Sequence, residues 1–282
     1  MQVLRAEDWA AALLAEDVGG GDLTTEALGL RSRRGRITFA ARGAFTLAGV
    51  EIAERMLALT GVSPQRPRAS GDAVAAGDLL LEGQGDAAAL HAGWKAAQTL
   101  MEALSGIATA ARAIVDAVEA VNPDVRVACT RKTFPGGRAL CHLAVKAGGA
   151  ILHRAGLAET ILVFPEHRAF LEGASLAEVA ARLRRQAPEK KLAVEVGSVA
   201  AAAAAILAGF DVIQLEKFGP TEVAEVAAFA RGRAQPPLVA AAGGVTLANA
   251  ADYVRAGAGL IVTSAPYAAA PREVQVRIEA SG

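Results

Sequence analysis

The stretch KLAVEVGSVAAAAAAILAGFDVIQLE, residues 191–216, holds two apolar runs of strand length on either side of an alanine-rich segment. Alanine has the highest helix propensity, so we interpret the middle segment as a helix. Continuous apolar runs are typical of strands that are buried on both faces of a parallel sheet. The stretch therefore predicts a βαβ unit.

The same alternation continues along the chain from about residue 127. The strand-like runs are RVACT, AILH, TILVF, KLAVEV, DVIQLE, PLVAAA and LIVTSA, and helix-like segments lie between most of them, at residues 137–147, 169–185, 199–208, 221–231 and 247–256. Eight full units of an α/β barrel usually take about 250 residues. Seven runs in about 140 residues therefore predict an incomplete barrel.

The first hundred residues have a different pattern. Residues 4–14 predict an amphipathic helix, and residues 35–51 and 71–87 predict strands with glycine-rich turns. Residues 88–121 predict a long helix with an interruption near Ser105-Gly106. An α/β sandwich in front of the barrel fits this pattern.

These patterns divide the chain into two domains. We predict an N-terminal α/β sandwich over residues 1–110 and an incomplete α/β barrel over residues 111–266. Whether the tail, residues 267–282, returns to the first domain is left open.

Composition excludes several partner classes. The chain has 282 residues with 29 Lys+Arg and 29 Asp+Glu, so it offers no bulk attraction to nucleic acid or to an anionic membrane. No stretch of about 18 residues is both uncharged and apolar enough to span a membrane, and the acidic start does not resemble a signal peptide. Cys129 and Cys141 lack metal-ligand spacing and are interpreted as packing residues. We expect a cytoplasmic protein without nucleic-acid or membrane partners.

Polar residues stand where the predicted strands end. They are Arg131-Lys132 after the first run, His153-Arg154 after the second, Glu195 in the fourth, Glu216-Lys217 in the fifth, Gly243-Gly244 after the sixth and Thr263-Ser264 at the end of the seventh. In an α/β barrel these ends meet at one mouth, where the chemistry is found.

The residue types at these ends suit a phosphorylated substrate. Arginine and lysine bind phosphate, and two glutamates can hold Mg²⁺ directly or through water. The pair Gly243-Gly244 frees backbone N–H groups just before a predicted helix, which is a phosphate-binding arrangement. Taken one at a time, Arg131-Lys132 also fit a solvated loop, and Glu216 also fits an ion pair with Lys217.

Several segments resemble one family in the same order along the chain. LAEDVGGGDLTT (14–25), LSGIATAAR (104–112), TRKTFPG (130–136), AGGAILHRAGL (147–157) and AAGGV (241–245) resemble quinolinate phosphoribosyltransferases, the nicotinate-nucleotide pyrophosphorylase family. WKAAQTLMEALSGIAT, ETILVFPEHRAFL and VTSAPYAAAP resemble the ModD branch of that family, which is associated with molybdenum-transport operons.

The resemblance implies a fold, a reaction and an assembly. The fold is an α/β sandwich followed by an incomplete barrel, assembled as a homodimer whose partner closes each mouth. A ring nitrogen of a carboxylated heterocycle attacks the anomeric carbon of phosphoribosyl pyrophosphate (PRPP) in the presence of Mg²⁺, and pyrophosphate leaves.

The resemblance also implies roles for individual residues. Lys132 contacts the donor phosphates, and Glu195 and Glu216 face the ribose and Mg²⁺. On the acceptor side lie Arg131, Arg154, His153, Phe164 and, from the partner subunit's copy of the chain, Lys95. The phosphate loops are formed by Gly243, Gly244, Thr263 and Ser264.

Departures from the family pattern lie mostly on the acceptor side. On the acceptor side, Trp94-Lys95 replaces a Glu-Arg pair and Phe164 replaces a lysine. Elsewhere, Glu216-Lys217 replaces an Asp-Asn pair, Ala242 replaces a serine and Ser264 replaces a glycine. We therefore expect quinolinate to be a poor acceptor and a heterocycle with one carboxylate, or a larger one, to fit better.

Two other functions remain open from the sequence. Lysine at a strand end permits a Schiff-base lyase that uses Lys132. The other function is that of a non-catalytic protein that binds an oxyanion, such as molybdate, in the phosphate site.

Overall fold

The computed structural model describes residues 6–281, with side-chain burial from Trp9. Within that range the helices are α1 Ala6–Val18, α2 Leu23–Ala27, α3 Val50–Thr60, α4 Ala87–Glu119, α5 Arg138–Ala147, α6 Pro165–Arg168, α7 Leu176–Gln186, α8 Val199–Leu207, α9 Pro220–Arg231 and α10 Ala250–Arg255. The strands are β1 Arg34–Ala41, β2 Phe45–Thr46, β3 Ser63–Gln65, β4 Ala73–Val74, β5 Leu79–Asp86, β6 Arg126–Cys129, β7 Ile151–Leu152, β8 Ile161–Val163, β9 Leu192–Val196, β10 Val212–Glu216, β11 Leu238–Ala242, β12 Leu260–Thr263 and β13 Val274–Ala280.

The chain divides into two compact units. The first contains the chain up to Arg112, the segment Phe134–Gly149 and the chain from Pro266 onward. The second contains Ala113–Thr133 and Ala150–Ala265. The segment that carries α5 therefore clusters with the first unit, although it lies within the residues that we assigned to the barrel.

The first unit is a mixed α/β unit around an antiparallel sheet. Its strand order is β13-β1-β5-β3, and β13 pairs with β1 from Gly35↔Ala280 to Ala41↔Val274. Alternate residues of β1 are buried, as expected for a strand with one core-facing side. Phe39 and Met56, on β1 and α3, are fully buried in this unit.

The second unit contains a seven-stranded parallel sheet. Its order is β7-β6-β12-β11-β10-β9-β8, and every pairing in it is parallel. The order follows the chain cyclically except for a seam between β7 and β8. The seven predicted strands and the incomplete barrel are therefore confirmed.

Small residues fill the interior of this sheet. Ala128, Ala240, Ala242 and Val262 form one buried cluster, with Val212 and Leu260 packed against it. Four short side chains leave room above them, at the edge where the parallel strands end. The sequence thus provides both the layer of strands and the space for a cavity at its carboxyl end.

The predicted break in the long helix is wrong. Helix α4 continues through Ser105 and Gly106. Ser105 Oγ accepts a hydrogen bond from the backbone N–H of Ala48 at 3.0 Å, and a Cβ on Gly106 would lie 2.3 Å from the carbonyl oxygen of Ala270. Both residues are small because other segments pack closely against the helix.

The predicted helix over residues 169–185 is also wrong in its first half. The structure has α6 and α7 instead, separated by Glu172 and Gly173 at φ 45° and 81°. Ser175 then caps α7 by accepting from the backbone N–H of Glu178. A left-handed pair of residues cannot continue a right-handed helix.

Two smaller differences concern element ends. The N-terminal helix is confirmed from Ala6 and extends to Val18, while Leu4 of the predicted helix lies outside the described residues. Residues 35–51 contain β1 and β2 as predicted, but Val50 begins helix α3, which the pattern did not indicate. Of the helices in residues 6–281, none combines the length and apolarity needed to cross a bilayer.

Candidate active site

One cavity of the second unit collects the polar residues of the strand ends. Its volume is about 460 Å³. It is lined by the predicted residues Arg131, Lys132, His153, Arg154, Phe164, Glu195, Glu216, Gly243, Gly244, Thr263 and Ser264. Parallel pairing explains the convergence, because the carboxyl ends of parallel strands lie at one edge of the sheet.

A larger cavity of about 860 Å³ lies in the same unit but has different chemistry. It is lined mainly by apolar side chains, including the exposed Leu157 and Phe170. The smaller cavity is the candidate site because it combines cations, carboxylates and glycine loops, whereas the larger one offers chiefly apolar surface.

Arginine dominates one side of the candidate site. The Arg154 side chain is buried, with 7% of its surface exposed, and its guanidinium carbon lies 5.3 Å from the centre of the Phe164 ring. Burial lowers the pKa of Arg154, the neighbouring Arg131 lowers it further, and Glu195 opposes both effects. Both arginines therefore present charge to the same space, where an anion would relieve their repulsion.

Another part of the cavity lining is acidic. Burial raises the pKa of the Glu195 carboxyl above its ordinary value; a hydrogen bond from Gln214 opposes this, and the nearby Glu216 and Glu166 carboxylates raise it again. A cation, or hydrogen-bond donors on a ligand, would relieve the repulsion between these groups.

Mg²⁺ fits this acidic side only with help from a substrate. Within residues 6–281 no group of three or more His, Cys, Asp or Glu side chains is placed to hold a metal ion. Glu195 and Glu216 supply two carboxylates in one cavity. Mg²⁺ is commonly bound by one or two carboxylates together with water and substrate phosphates, which is what these two residues could provide.

The glycine pair is required by its neighbours. Gly243 and Gly244 both have φ 79°, and a Cβ on Gly243 would lie 2.6 Å from Glu216 Oε1. The next helix, α10, begins only at Ala250, so the pair does not open a helix as the sequence predicted. Any phosphate bound here would meet the loop backbone and not a helix N-terminus.

Thr263 connects the loop after β11 with the loop after β12. Its hydroxyl is buried, donates to the backbone carbonyl of Val245 at 2.7 Å and accepts from the backbone N–H of Ala265 at 3.0 Å. The Thr263 proton is thus already used within the protein. This geometry makes Thr263 a residue that positions the loop around Ser264.

Comparison with known proteins places this architecture in one family. The family model of the quinolinate phosphoribosyl transferase N-terminal domain matches residues 22–105, and that of the C-terminal domain matches residues 107–277. The chain belongs to the quinolinate phosphoribosyl transferase family. Both of its units are therefore accounted for by that family.

Individual relatives agree with the assignment. ModD of Rhodobacter capsulatus is 52% identical over 246 residues, which cover 87% of this chain and 95% of ModD. A Synechocystis sp. protein named as a nicotinate-nucleotide pyrophosphorylase (carboxylating) is 32% identical over 269 residues, covering 94% of this chain and 89% of that protein. The structure of NadC from Streptococcus pyogenes superposes with a TM-score of 0.89 at 26% identity, covering 100% of both chains.

Lys95 lies in the first unit of this family member, on α4. Its Nζ is 4.8 Å from the centre of the Trp94 ring and 2.9 Å from Gln98 Oε1. His91 Nδ1 lies 2.7 Å from the Thr25 hydroxyl, which also hydrogen-bonds to Asp22. The role of Lys95 across a dimer stays a prediction.

Gln214 and Glu166 also line the cavity, although the sequence-based prediction did not include them. Gln214 carried a usable signal, because a polar residue in the middle of a buried strand needs a partner. Glu166 stands in the short helix α6 after β8 and carried no such signal.

His153 provides a spectroscopic test of the cavity. Burial lowers the pKa of its imidazole, and the adjacent Arg154 lowers it further. We expect a titration midpoint below the ordinary value of 6.5, measured by NMR and assigned with His153→Gln. Arg154→Gln should move the midpoint upward, and a midpoint at or above 6.5 in the unsubstituted protein would contradict the placement.

The same shift affects folding stability. The unfolded chain binds the proton first, so the contribution of His153 to the free energy of unfolding falls as the pH drops below about 6.5. Urea unfolding at several pH values should show that His153→Gln reduces this dependence.

Proposed function

We propose that this protein is a phosphoribosyltransferase that transfers phosphoribosyl from PRPP to a ring nitrogen of a carboxylated heterocycle, with Mg²⁺. The observation that carries the proposal is that one cavity is lined both by the cations Arg131, Lys132 and Arg154 and by the carboxylates Glu195 and Glu216. A polyphosphate and a carboxylate call for the cations, while a ribose and a metal ion call for the carboxylates.

The chemistry is a displacement at the anomeric carbon. A carbon–nitrogen bond forms, the carbon–oxygen bond to pyrophosphate breaks, and pyrophosphate leaves with the electron pair. When bound, Mg²⁺ would neutralise charge on the departing phosphates, held by Glu195 and Glu216. The Arg154 side chain is buried and the Glu195 carboxylate is hydrogen-bonded to Gln214 before any substrate binds, and charged groups held in this way favour electrostatic catalysis.

Individual residues divide this work. Lys132 meets the donor phosphates as a flexible point charge, and the loops around Gly243 and Ser264 bind the 5′-phosphate. Arg131 and Arg154 orient the acceptor carboxylate. The lowered pKa of His153 keeps its imidazole uncharged, so it adds polarity next to Arg154 without a further positive charge.

The Schiff-base alternative is disfavoured by the position of Lys132. Its side chain is exposed, whereas a nucleophilic lysine is normally activated by removal from water. The oxyanion-storage alternative does not explain why two carboxylates line the cavity.

Two further properties complete the proposal. We propose a homodimer in which Lys95 reaches the partner's cavity, supported by the match of both family domains and by the position of Lys95 on α4. We also propose a cytoplasmic location, which suits two buried free cysteines, Cys129 and Cys141.

The first prediction tests the donor. PRPP should bind at least about tenfold more tightly with Mg²⁺ than with EDTA, because Glu195 and Glu216 repel the bare anion. Calorimetry should show that Glu195→Gln or Glu216→Gln improves binding in EDTA, while Glu189→Gln, at an exposed position, changes nothing. Equal binding in both conditions, or none in either, would contradict the donor assignment.

The second prediction concerns the acceptor. Quinolinate carries two carboxylates, and Phe164 leaves one of them without a cation, which costs about a hundredfold in binding. We expect a low kcat/KM for quinolinate, raised by Phe164→Lys combined with Lys95→Arg. Phe170→Lys, which adds a charge at a residue that is 86% exposed and outside the site, is the matched control. A high kcat/KM that these changes leave unimproved would show that the pocket is misinterpreted.

The third prediction tests the dimer. Lys95→Ala and Lys132→Ala should each suppress pyrophosphate release from PRPP and quinolinate, measured at high enzyme concentration. If Lys95 acts across the dimer, a refolded equimolar mixture should recover about a quarter of normal activity, because half the dimers then have one intact site in two. No recovery, or a monomer in light scattering, would rule out the arrangement.

A further inference from the structure

Gln214 is a buried amide in the floor of the candidate site. It stands on β10, in register with Glu195 on β9 and with Ala240 on β11. Only 5% of its surface is exposed, and it lines the same cavity as the predicted site residues. A polar group at this depth is costly unless its hydrogen-bonding atoms are satisfied.

Among the described residues, only one end of this amide has a partner. Gln214 Nε2 donates to Glu195 Oε2 at 2.7 Å. Gln214 Oε1 is buried and has no hydrogen-bond partner within residues 6–281. An acceptor left in this state costs free energy, and a donor that reaches it from the cavity regains that free energy.

The surroundings of Oε1 do not supply a donor. The register partner on β11 is Ala240, whose methyl group cannot donate, and Ala242 lies two residues further on the same strand. Glu195 and Glu216, the nearest charged residues on β9 and β10, accept hydrogen bonds when ionised. The floor of the cavity is therefore rich in acceptors, and a ligand must bring the donors.

We propose that Gln214 is a specificity-determining residue whose side-chain carbonyl accepts a hydrogen bond from an O–H or N–H group of a substrate. This inference rests on the proposed function, since it assigns Gln214 to the same cavity. The donor group has two possible sources: a hydroxyl of the ribose, or an N–H of the heterocycle. In both cases the donor group would come from the cavity that Gln214 and Ala242 line.

Two pairs of probes distinguish the sources. Ribose 5-phosphate and 2-deoxyribose 5-phosphate differ by one hydroxyl, and 2-aminopyridine-3-carboxylate and pyridine-3-carboxylate differ by one amino group. Each is titrated by calorimetry in EDTA, so that a metal ion cannot occupy the carbonyl. The variant is Gln214→Met, which is similar in volume and apolar, and the control is Gln186→Met, at an exposed position on α7.

The unsubstituted protein should prefer the donor-bearing member of one pair by at least about fivefold, and Gln214→Met should abolish that preference. If Gln214→Met abolishes the preference for ribose 5-phosphate over 2-deoxyribose 5-phosphate, the Gln214 carbonyl contacts the ribose. If it abolishes the preference for 2-aminopyridine-3-carboxylate over pyridine-3-carboxylate, the carbonyl contacts the heterocycle. The inference is overturned if neither pair is discriminated, or if Gln214→Met weakens both members of each pair equally.

The Glu195→Gln variant separates direct recognition from an effect on Glu195. If the Gln214 carbonyl itself accepts the hydrogen bond, Glu195→Gln keeps the preference for the donor-bearing member and only Gln214→Met removes it. If the preference disappears in Glu195→Gln as well, Gln214 only orients Glu195, and the inference fails.

The result of these Gln214 titrations does not depend on whether PRPP binding with Mg²⁺ supports the proposed function. If PRPP binds with Mg²⁺ but Gln214→Met leaves both preferences intact, only this inference fails. If PRPP does not bind, yet a preference depends on Gln214, the donor assignment fails and the recognition role stands.

Discussion

The in-register parallel pairing of β9, β10 and β11 is the constraint on which the site depends. It places Glu195, Gln214 and Ala240 in one row across three strands. It also brings the loop after β11, with Gly243, next to the Glu216 carboxylate at the end of β10. A slip of one residue in this pairing would turn the acidic side chains to the outer face of the sheet. The geometry of the cavity is therefore set by backbone hydrogen bonds before any side chain makes a contact.

Opposed charges in a small volume explain the electrostatics of the site. The pKa of the Arg154 guanidinium is lowered and that of the Glu195 carboxyl is raised, in both cases chiefly because burial disfavours the charged form. Glu195 opposes the lowering of the Arg154 pKa, and Lys132 opposes the raising of the Glu195 pKa. An empty cavity of this kind is less favourable than an occupied one. A substrate that carries both anionic groups and hydrogen-bond donors would satisfy the two sides together.

Strand runs and strand ends were predictable from sequence because the interior of a parallel sheet leaves few choices. RVACT through LIVTSA each became a strand, and the polar residues that follow them line one cavity. The errors arose where long-range packing overrides local propensity. Ser105 and Gly106 are poor helix formers in isolation, yet they lie inside α4. Their small size allows the backbone at Ala48 and Ala270 to approach the helix closely. Gln214 could have been noticed as a polar residue in a buried strand, but the sequence alone does not show that its register partner is Glu195.

The acceptor side of the cavity shows how one substitution changes several interactions. Phe164 faces the Arg154 guanidinium at 5.3 Å and stacks with His167, whose ring centre is 5.8 Å away. A lysine at position 164 would repel Arg154, whereas the phenyl ring attracts it and holds it in place. Arg154 is thus oriented by an aromatic face and not by a second cation, and His153 beside it is kept uncharged by burial. The positive charge on this side comes from two guanidinium groups, Arg131 and Arg154, next to an apolar ring. Such a surface matches a flat heterocycle with a single carboxylate better than one with two adjacent carboxylates, because each further anionic group would have to lose water without gaining a partner.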